Sequence, residues 1–305
     1  MRKITVIGAG HVGSTIAYTL ATKRIANKIA LIDIDERKCK SEVKDIRDAV
    51  VDLYVDVTID IGEYSDLDDS DILIVTAGGA PTDEQSADRM QALDESMKII
   101  DIIANNIKQT KFSGIIINIG NPADIVAHRL MQKLNYDQNK VLSTGTYLDS
   151  NRLKQIIAER TNVSPKKITA YMFGEHGESQ FAAFSLVDID GKSAYEYFNE
   201  DELSEIETKV KARGWSIFTG KGSTEYGVCQ AACRLVEEIY DSSDTLMPIS
   251  VHLNGQFGYN DLHISTLAKL DANGIYDIVE PKLNEDEKKK MNGSIEKLRA
   301  VLGLK

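Results

Sequence analysis

With 305 residues, 42% of them hydrophobic and 27% charged, the chain has the length and composition of a soluble globular protein with an ample core. A formal net charge of −11, with no basic cluster to oppose it, argues against a nucleic-acid surface. The apolar runs are far too short to span a bilayer, no signal-peptide pattern is visible, and three cysteines cannot form a disulfide framework, so a cytoplasmic location is expected.

The first predicted element is a strand, Lys3-Ile4-Thr5-Val6-Ile7, which runs into Gly8-Ala9-Gly10-His11-Val12-Gly13. Val12, Ile16, Ala17 and Leu20 then recur at helical spacing, so strand, tight turn and helix follow one another. Gly8 serves a turn that a side chain would strain, Gly10 lets a pyrophosphate approach the backbone, and Gly13 lets the helix pack close to the strand. Unpaired N–H groups and the dipole at the helix start favour an anion. A second apolar run, Ile29-Ala30-Leu31-Ile32, ends in Asp33, twenty residues past Gly13. An acid there accepts hydrogen bonds from both ribose hydroxyls of an adenosine and repels a 2′-phosphate. This register predicts dinucleotide binding, with NAD rather than NADP as cofactor.

Farther along, residues 36–50 carry a helical pattern and 55–61 alternate like a strand. Asp71 to Ala77 is a buried strand by composition, closed by Gly78-Gly79 and a polar loop to Asp88. A helical pattern runs from Arg89 to about Lys108, a strand from Gly114 to Gly120, a helix to about Leu134, and a short strand near Val141. Apolar runs separated by helical patterns indicate a doubly wound parallel sheet. Beyond Gly145 the rhythm changes. A helix over 149–161 leads to strand-like segments at 168–173 and 180–189 whose spacing suggests antiparallel pairing. Helices ending near Arg213 and running from Ser223 to Tyr240 follow, then strand-like pieces at 247–253 and 275–279. Asn284 with Glu287 reads as a capping box opening the last helix. The expected organisation is a nucleotide-binding domain over 1–145 and a substrate domain over 146–305, packed as one body with a cleft between them.

Several residues can carry chemistry. His176 lies in Gly174-Glu175-His176-Gly177, immediately after a strand. Asp149 and Arg152 are three apart at a helix start and can point to one side. Asn121 follows the strand ending at Gly120, at the carboxyl end of the sheet where such folds bind ligands. Arg89 opens a helix behind a loop long enough to act as a lid. No metal-binding spacing such as His-Glu-x-x-His or Cys-x-x-Cys occurs, so no metal is expected.

These segments together resemble the L-2-hydroxy acid dehydrogenases of the lactate/malate dehydrogenase superfamily. The resemblance covers essentially the whole chain through Gly8-x-Gly10-x-x-Gly13 with Asp33, Gly120-Asn121-Pro122-Ala123-Asp124, Leu148-Asp149-Ser150-Asn151-Arg152 and Gly174-Glu175-His176-Gly177. Within it the chain looks most like the L-2-hydroxyisocaproate dehydrogenase type, through Gly145-Thr146-Tyr147-Leu148-Asp149, His176 to Phe181 and Gly220 to Gly227. The resemblance implies an N-terminal Rossmann domain, a C-terminal α+β substrate domain, and a homodimer or homotetramer. It implies that His176 exchanges a proton with the substrate oxygen and that Asp149 orients the imidazole. Arg152 then clamps the substrate carboxylate, while Arg89 stabilises charge growing on the carbonyl oxygen. Asn121 orients substrate and nicotinamide, and Thr224 lines the pocket. Candidate cofactor contacts are Gly8, Gly10, His11, Val12, Gly13, Asp33, Ala77, Gly78 and Asn121. The expected reaction is reversible hydride transfer between NADH and a 2-oxo monocarboxylic acid. L-Lactate dehydrogenase is the nearest alternative, followed by malate dehydrogenase and a non-catalytic NAD-binding protein.

Overall fold

The structure is a computed structural model that describes residues 2–54, 56–78 and 89–304, the side chains of 89–92 excepted. The chain forms two compact units, the first comprising Met1–Thr144, Glu225–Thr245 and Leu270–Tyr276, the second Gly145–Thr224, Leu246–Lys269 and Asp277–Lys305.

In the first unit the elements are β1 (Lys3–Ile7), α1 (His11–Thr22), β2 (Lys28–Ile32), α2 (Glu36–Val50), β3 (Thr58–Ile61), β4 (Ile72–Val75), α3 (Arg89–Ile107), β5 (Ile115–Asn118), α4 (Ala123–Leu134) and β6 (Val141–Ser143). The strands pair in parallel in the order β3-β2-β1-β4-β5-β6. In register, Ile4 lies beside Ile29 on one side and Ile72 on the other. Ile72–Val75 and Ile115–Asn118 are buried along their whole length, which explains continuous apolar runs instead of alternation. Chain order reverses between β1 and β4, so a topological switch point forms at their carboxyl ends, where Gly8 and Thr76 sit. A core of Leu73, Val75, Ile100, Ile116, Val126 and Leu130 joins α3 and α4 to the sheet.

The second unit begins with α5 (Tyr147–Thr161), followed by short strands β7 (Ile168–Thr169), β8 (Met172–Phe173), β9 (Phe181–Ala182), β10 (Asp188–Ile189) and β11 (Lys192–Ser193), and then α6 (Glu200–Lys221). Helix α7 (Tyr226–Asp241) belongs to the first unit and packs on α1. The remaining elements are β12 (Met247–Asn254), β13 (Asn260–Asp271), β14 (Gly274–Val279) and α8 (Glu285–Leu302). The α8 capping box is present: the Asn284 side chain accepts from Asp286 and Glu287 N–H, and Glu287 accepts in return from Asn284.

Three local features differ from the sequence pattern. The run Ile168–Phe173 divides into two strands in separate antiparallel sheets, β7 with β10 and β8 with β9. Helix α6 continues past Arg213 to Lys221, ending on Gly222 in the left-handed region. Its last turns carry no periodic apolar stripe, which removes the signal used to place its end. Strand β13 is absent from the sequence reading because it is buried on both faces while carrying His263, Ser265 and Thr266. Those side chains hide the expected run.

Candidate active site

The candidate cofactor residues lie at the switch point of the first unit. Gly8 turns the chain off β1 at φ +106°, and a Cβ there would lie 2.4 Å from Thr76 Oγ1. At Gly13 a Cβ would lie 1.7 Å from the Gly8 carbonyl oxygen, so α1 reaches the strand only because this residue has no side chain. Gly10 is different. Among the described residues its Cβ would meet nothing within 4 Å and no side chain caps α1, whose N-cap this open space adjoins. The first N–H groups of a helix have no carbonyl partner within it, so His11, Val12 and Gly13 offer donors to an anion there.

Asp33 follows β2 and its carboxylate is already fixed: Oδ2 accepts from Ala9 N–H at 2.5 Å and Oδ1 from Asp35 N–H at 2.9 Å. An anchored carboxylate retains lone pairs for two ribose hydroxyls. Open glycine cradle, helix start and oriented acid fit an NAD molecule.

Across the switch point, Ala77 and Gly78 lead out of β4 and meet the loop after β5. A Cβ on Gly120 would lie 2.8 Å from the Ala77 carbonyl, and one on Gly78 would lie 3.9 Å from Asn121 N. The exposed Asn121, joined to Pro122 by a cis peptide bond, is held in this loop by a residue the sequence reading missed. Buried Asn118 donates Nδ2 to the carbonyls of Gly120 (2.9 Å) and Ala123 (3.0 Å) and accepts the Gly120 N–H at 3.0 Å. Its position at the end of an apolar strand was the available signal, since a buried amide there needs backbone partners.

The candidate acid/base group lies in the second unit. Asp149, 1% exposed, stands in the first turn of α5. Its Oδ2 is 2.7 Å from His176 Nδ1, and its Oδ1 accepts from Arg152 Nη1 at 2.8 Å. Burial pushes its carboxyl pKa up, but His176 and Arg152 outweigh that and hold it below the ordinary carboxylate range. Arg152 is itself largely buried, with 12% of its side chain exposed, while His176 keeps 26%. The α5 start is tied to β8 by Thr146 Oγ1, which donates to the Met172 carbonyl at 2.6 Å, and by Ser150 Oγ, which accepts the Met172 N–H at 2.8 Å. Because His176 comes four residues after Met172, these bonds bring it to Asp149. The Arg152 guanidinium also lies against Gly214 of α6, whose Cβ would come within 3.3 Å of Nη1.

The structure thus unites Asp149, Arg152 and His176 in one unit, and Gly8, Gly10, Gly13, Asp33, Ala77, Gly78 and Asn121 in the other. Thr224 is half-buried just beyond α6. Arg89 is the first residue of α3, but its side chain and the loop 79–88 lie outside the described residues. Among the described residues, no group of three or more His, Cys, Asp or Glu could hold a metal ion, and no helix is long and apolar enough to cross a membrane.

The chain is similar to known proteins over nearly its whole length. Residues 2–143 match the family model for the lactate/malate dehydrogenase NAD binding domain, and residues 146–304 match that for the lactate/malate dehydrogenase alpha/beta C-terminal domain. L-lactate dehydrogenase 1 of Bifidobacterium longum subsp. longum is 33% identical over 304 residues, covering 97% of this chain and 96% of that protein. The crystal structure of a minor L-lactate dehydrogenase from Enterococcus mundtii, in ligand-bound form, superposes with a TM-score of 0.94 at 30% identity, covering 99% of this chain and 98% of the other. A malate dehydrogenase from Aeropyrum pernix also gives 0.94, at 29% identity, with 98% and 97% covered.

Proposed function

The chain belongs to the lactate/malate dehydrogenase family, and on that footing we propose that its principal substrate pair is pyruvate and L-lactate. It is an NAD-dependent oxidoreductase of 2-hydroxy acids. The observation that carries the reading is the Asp149–His176–Arg152 group. With Nδ1 facing Asp149, the His176 ring exchanges its proton with substrate through Nε2. In the reduction direction that proton goes to the carbonyl oxygen of the oxo acid, and Asp149 stabilises the imidazolium before transfer. Arg152 gives one nitrogen to Asp149 and keeps further donors in its fork for the substrate carboxylate. The dinucleotide, when bound, supplies the hydride. Asn121 orients substrate, Thr224 lines the pocket, and Arg89 stabilises charge developing on the oxygen.

We favour pyruvate over a branched oxo acid because the full-length relatives include L-lactate dehydrogenases. A second reading, the L-2-hydroxyisocaproate type, keeps the support of Gly145-Thr146-Tyr147-Leu148 and of Gly220 to Gly227. A cytoplasmic homodimer or homotetramer completes the proposal. The test follows NADH consumption with pyruvate, 2-oxobutyrate and 2-oxoisocaproate. Pyruvate should give the highest kcat/KM; a clear preference for 2-oxoisocaproate moves the protein to the second reading. His176→Ala should lower kcat by about two to four orders of magnitude with NADH affinity nearly intact. A variant retaining a large share of activity removes His176 from the acid/base role.

A further inference from the structure

Two backbone groups in the turn that carries His176 are held by buried side chains, one from helix α8 and one from three residues farther along the turn. On one side, the Glu175 N–H donates to Ser294 Oγ at 2.7 Å. Ser294 is 1% exposed on α8, and it occupies the space left by Gly174, where a Cβ would lie 2.8 Å from its Oγ. Gly174 has φ +91°, a conformation that side chains rarely adopt, so the approach of α8 and the turn both depend on this glycine. Ser294 Oγ is also 2.9 Å from Ser179 Oγ, which donates to Glu175, and Lys297 on the same helix pairs with Glu175 at 2.9 Å. On the other side, Gln180 donates Nε2 to the Gly177 carbonyl at 2.9 Å.

Gln180 is the more telling of the two. It is 5% exposed, yet its Oε1 has no hydrogen-bond partner among the described residues. Burying an amide half-satisfied is unfavourable, and an apolar side chain of similar volume suits such a site better for stability alone. Reversing the amide would face oxygen against the Gly177 carbonyl, so the orientation is fixed by chemistry. What the residue secures is the carbonyl next to the acid/base histidine.

We propose that Ser294 and Gln180 are positioning residues that clamp the His176 turn from both sides and so set the His176–Asp149 bond. The inference rests on His176 being the acid/base group. Its physical content is that loosening the turn weakens the contact between imidazole and carboxylate. A neighbouring carboxylate favours the charged imidazole, so a weaker contact favours the neutral ring. Reduction of an oxo acid uses the protonated ring. Its rate therefore falls as rising pH deprotonates the ring, and the fall moves to lower pH when the clamp is removed.

The experiment compares Ser294→Ala, Gln180→Met and the parent enzyme by pH profile of kcat/KM for pyruvate reduction, thermal midpoint and NADH affinity. Gln180→Met should keep or raise the thermal midpoint while lowering kcat about tenfold and shifting the alkaline limb to lower pH. Ser294→Ala should shift the limb the same way, with NADH affinity unchanged in both. A merely structural role lowers the thermal midpoint and leaves the limb in place, and that result overturns the clamp. Nitrogen NMR of His176 reads the same contact without substrate. An Nδ1 resonance unchanged in every variant that folds also overturns the proposal, whether or not pyruvate is the preferred substrate. Full activity in His176→Ala, by contrast, overturns the acid/base reading itself.

Discussion

Gly10 and Gly13 belong to one turn but lack side chains for different reasons. At Gly13 the protein itself forbids a Cβ, which would lie 1.7 Å from the Gly8 carbonyl oxygen. At Gly10 the described residues impose nothing: φ is −72°, and a Cβ meets none of their atoms within 4 Å. The open space suits a ligand. Gly13→Ala should therefore destabilise the apo protein by about 1–3 kcal/mol or more, because strand and helix must separate. Gly10→Ala should leave the apo thermal midpoint unchanged or slightly higher, since alanine adopts this backbone and restricts the unfolded chain. It should nevertheless weaken NADH binding at least tenfold. Thermal unfolding with and without NADH separates the two effects, and a Gly10→Ala variant that binds NADH like the parent refutes this division of roles.

At the scale of elements, α5 and α6 meet where Arg152 lies against Gly214. Glycine inside a helix costs about 1 kcal/mol relative to alanine. A Cβ at 214 would stand 3.3 and 3.4 Å from the two terminal guanidinium nitrogens, a tight contact with a group already bonded to Asp149. Gly214→Leu should push that guanidinium aside and raise KM for pyruvate several-fold, with a smaller change in NADH affinity. Steady-state kinetics decides it, and an unchanged KM means that Arg152 tolerates the neighbour or does not bind substrate. Nothing local in the sequence announces Gly214, because its importance comes from a partner 62 positions earlier on another helix. The same holds for Ser294, whose partner Glu175 lies 119 positions earlier. By contrast, the strands β1, β2, β4 and β5 and their glycine turns were legible, since each is a local pattern with a local physical cause. Asp149, Arg152 and His176 were legible as motifs, but their bonding becomes visible only when Thr146 and Ser150 tie α5 to β8.

At the scale of the molecule, fold does not choose the substrate: a lactate and a malate dehydrogenase match this chain with the same TM-score of 0.94. Charge discriminates better. The chain carries a net −11, and in the proposed function Arg152 supplies the cation for one substrate carboxylate. A dicarboxylate needs a second. Between Gly78 and Asp88 there is no arginine or lysine, while Asp83, Glu84 and Asp88 add negative charge. On the expectation that this segment, which lies outside the described residues, acts as a lid, the second carboxylate of oxaloacetate would bring like charges together, and two unit charges about 4 Å apart at an effective dielectric of about 20 repel by about 4 kcal/mol. Oxaloacetate should accordingly be reduced with a kcat/KM at least two orders of magnitude below that of pyruvate. Because the penalty is electrostatic, added salt should narrow the gap, and Asp83→Asn with Glu84→Gln should narrow it further while leaving pyruvate turnover nearly unchanged. A gap insensitive to both salt and those substitutions places discrimination in the shape of the pocket. Efficient oxaloacetate turnover by the parent enzyme removes the role given to the acidic segment and returns malate to the list of substrates.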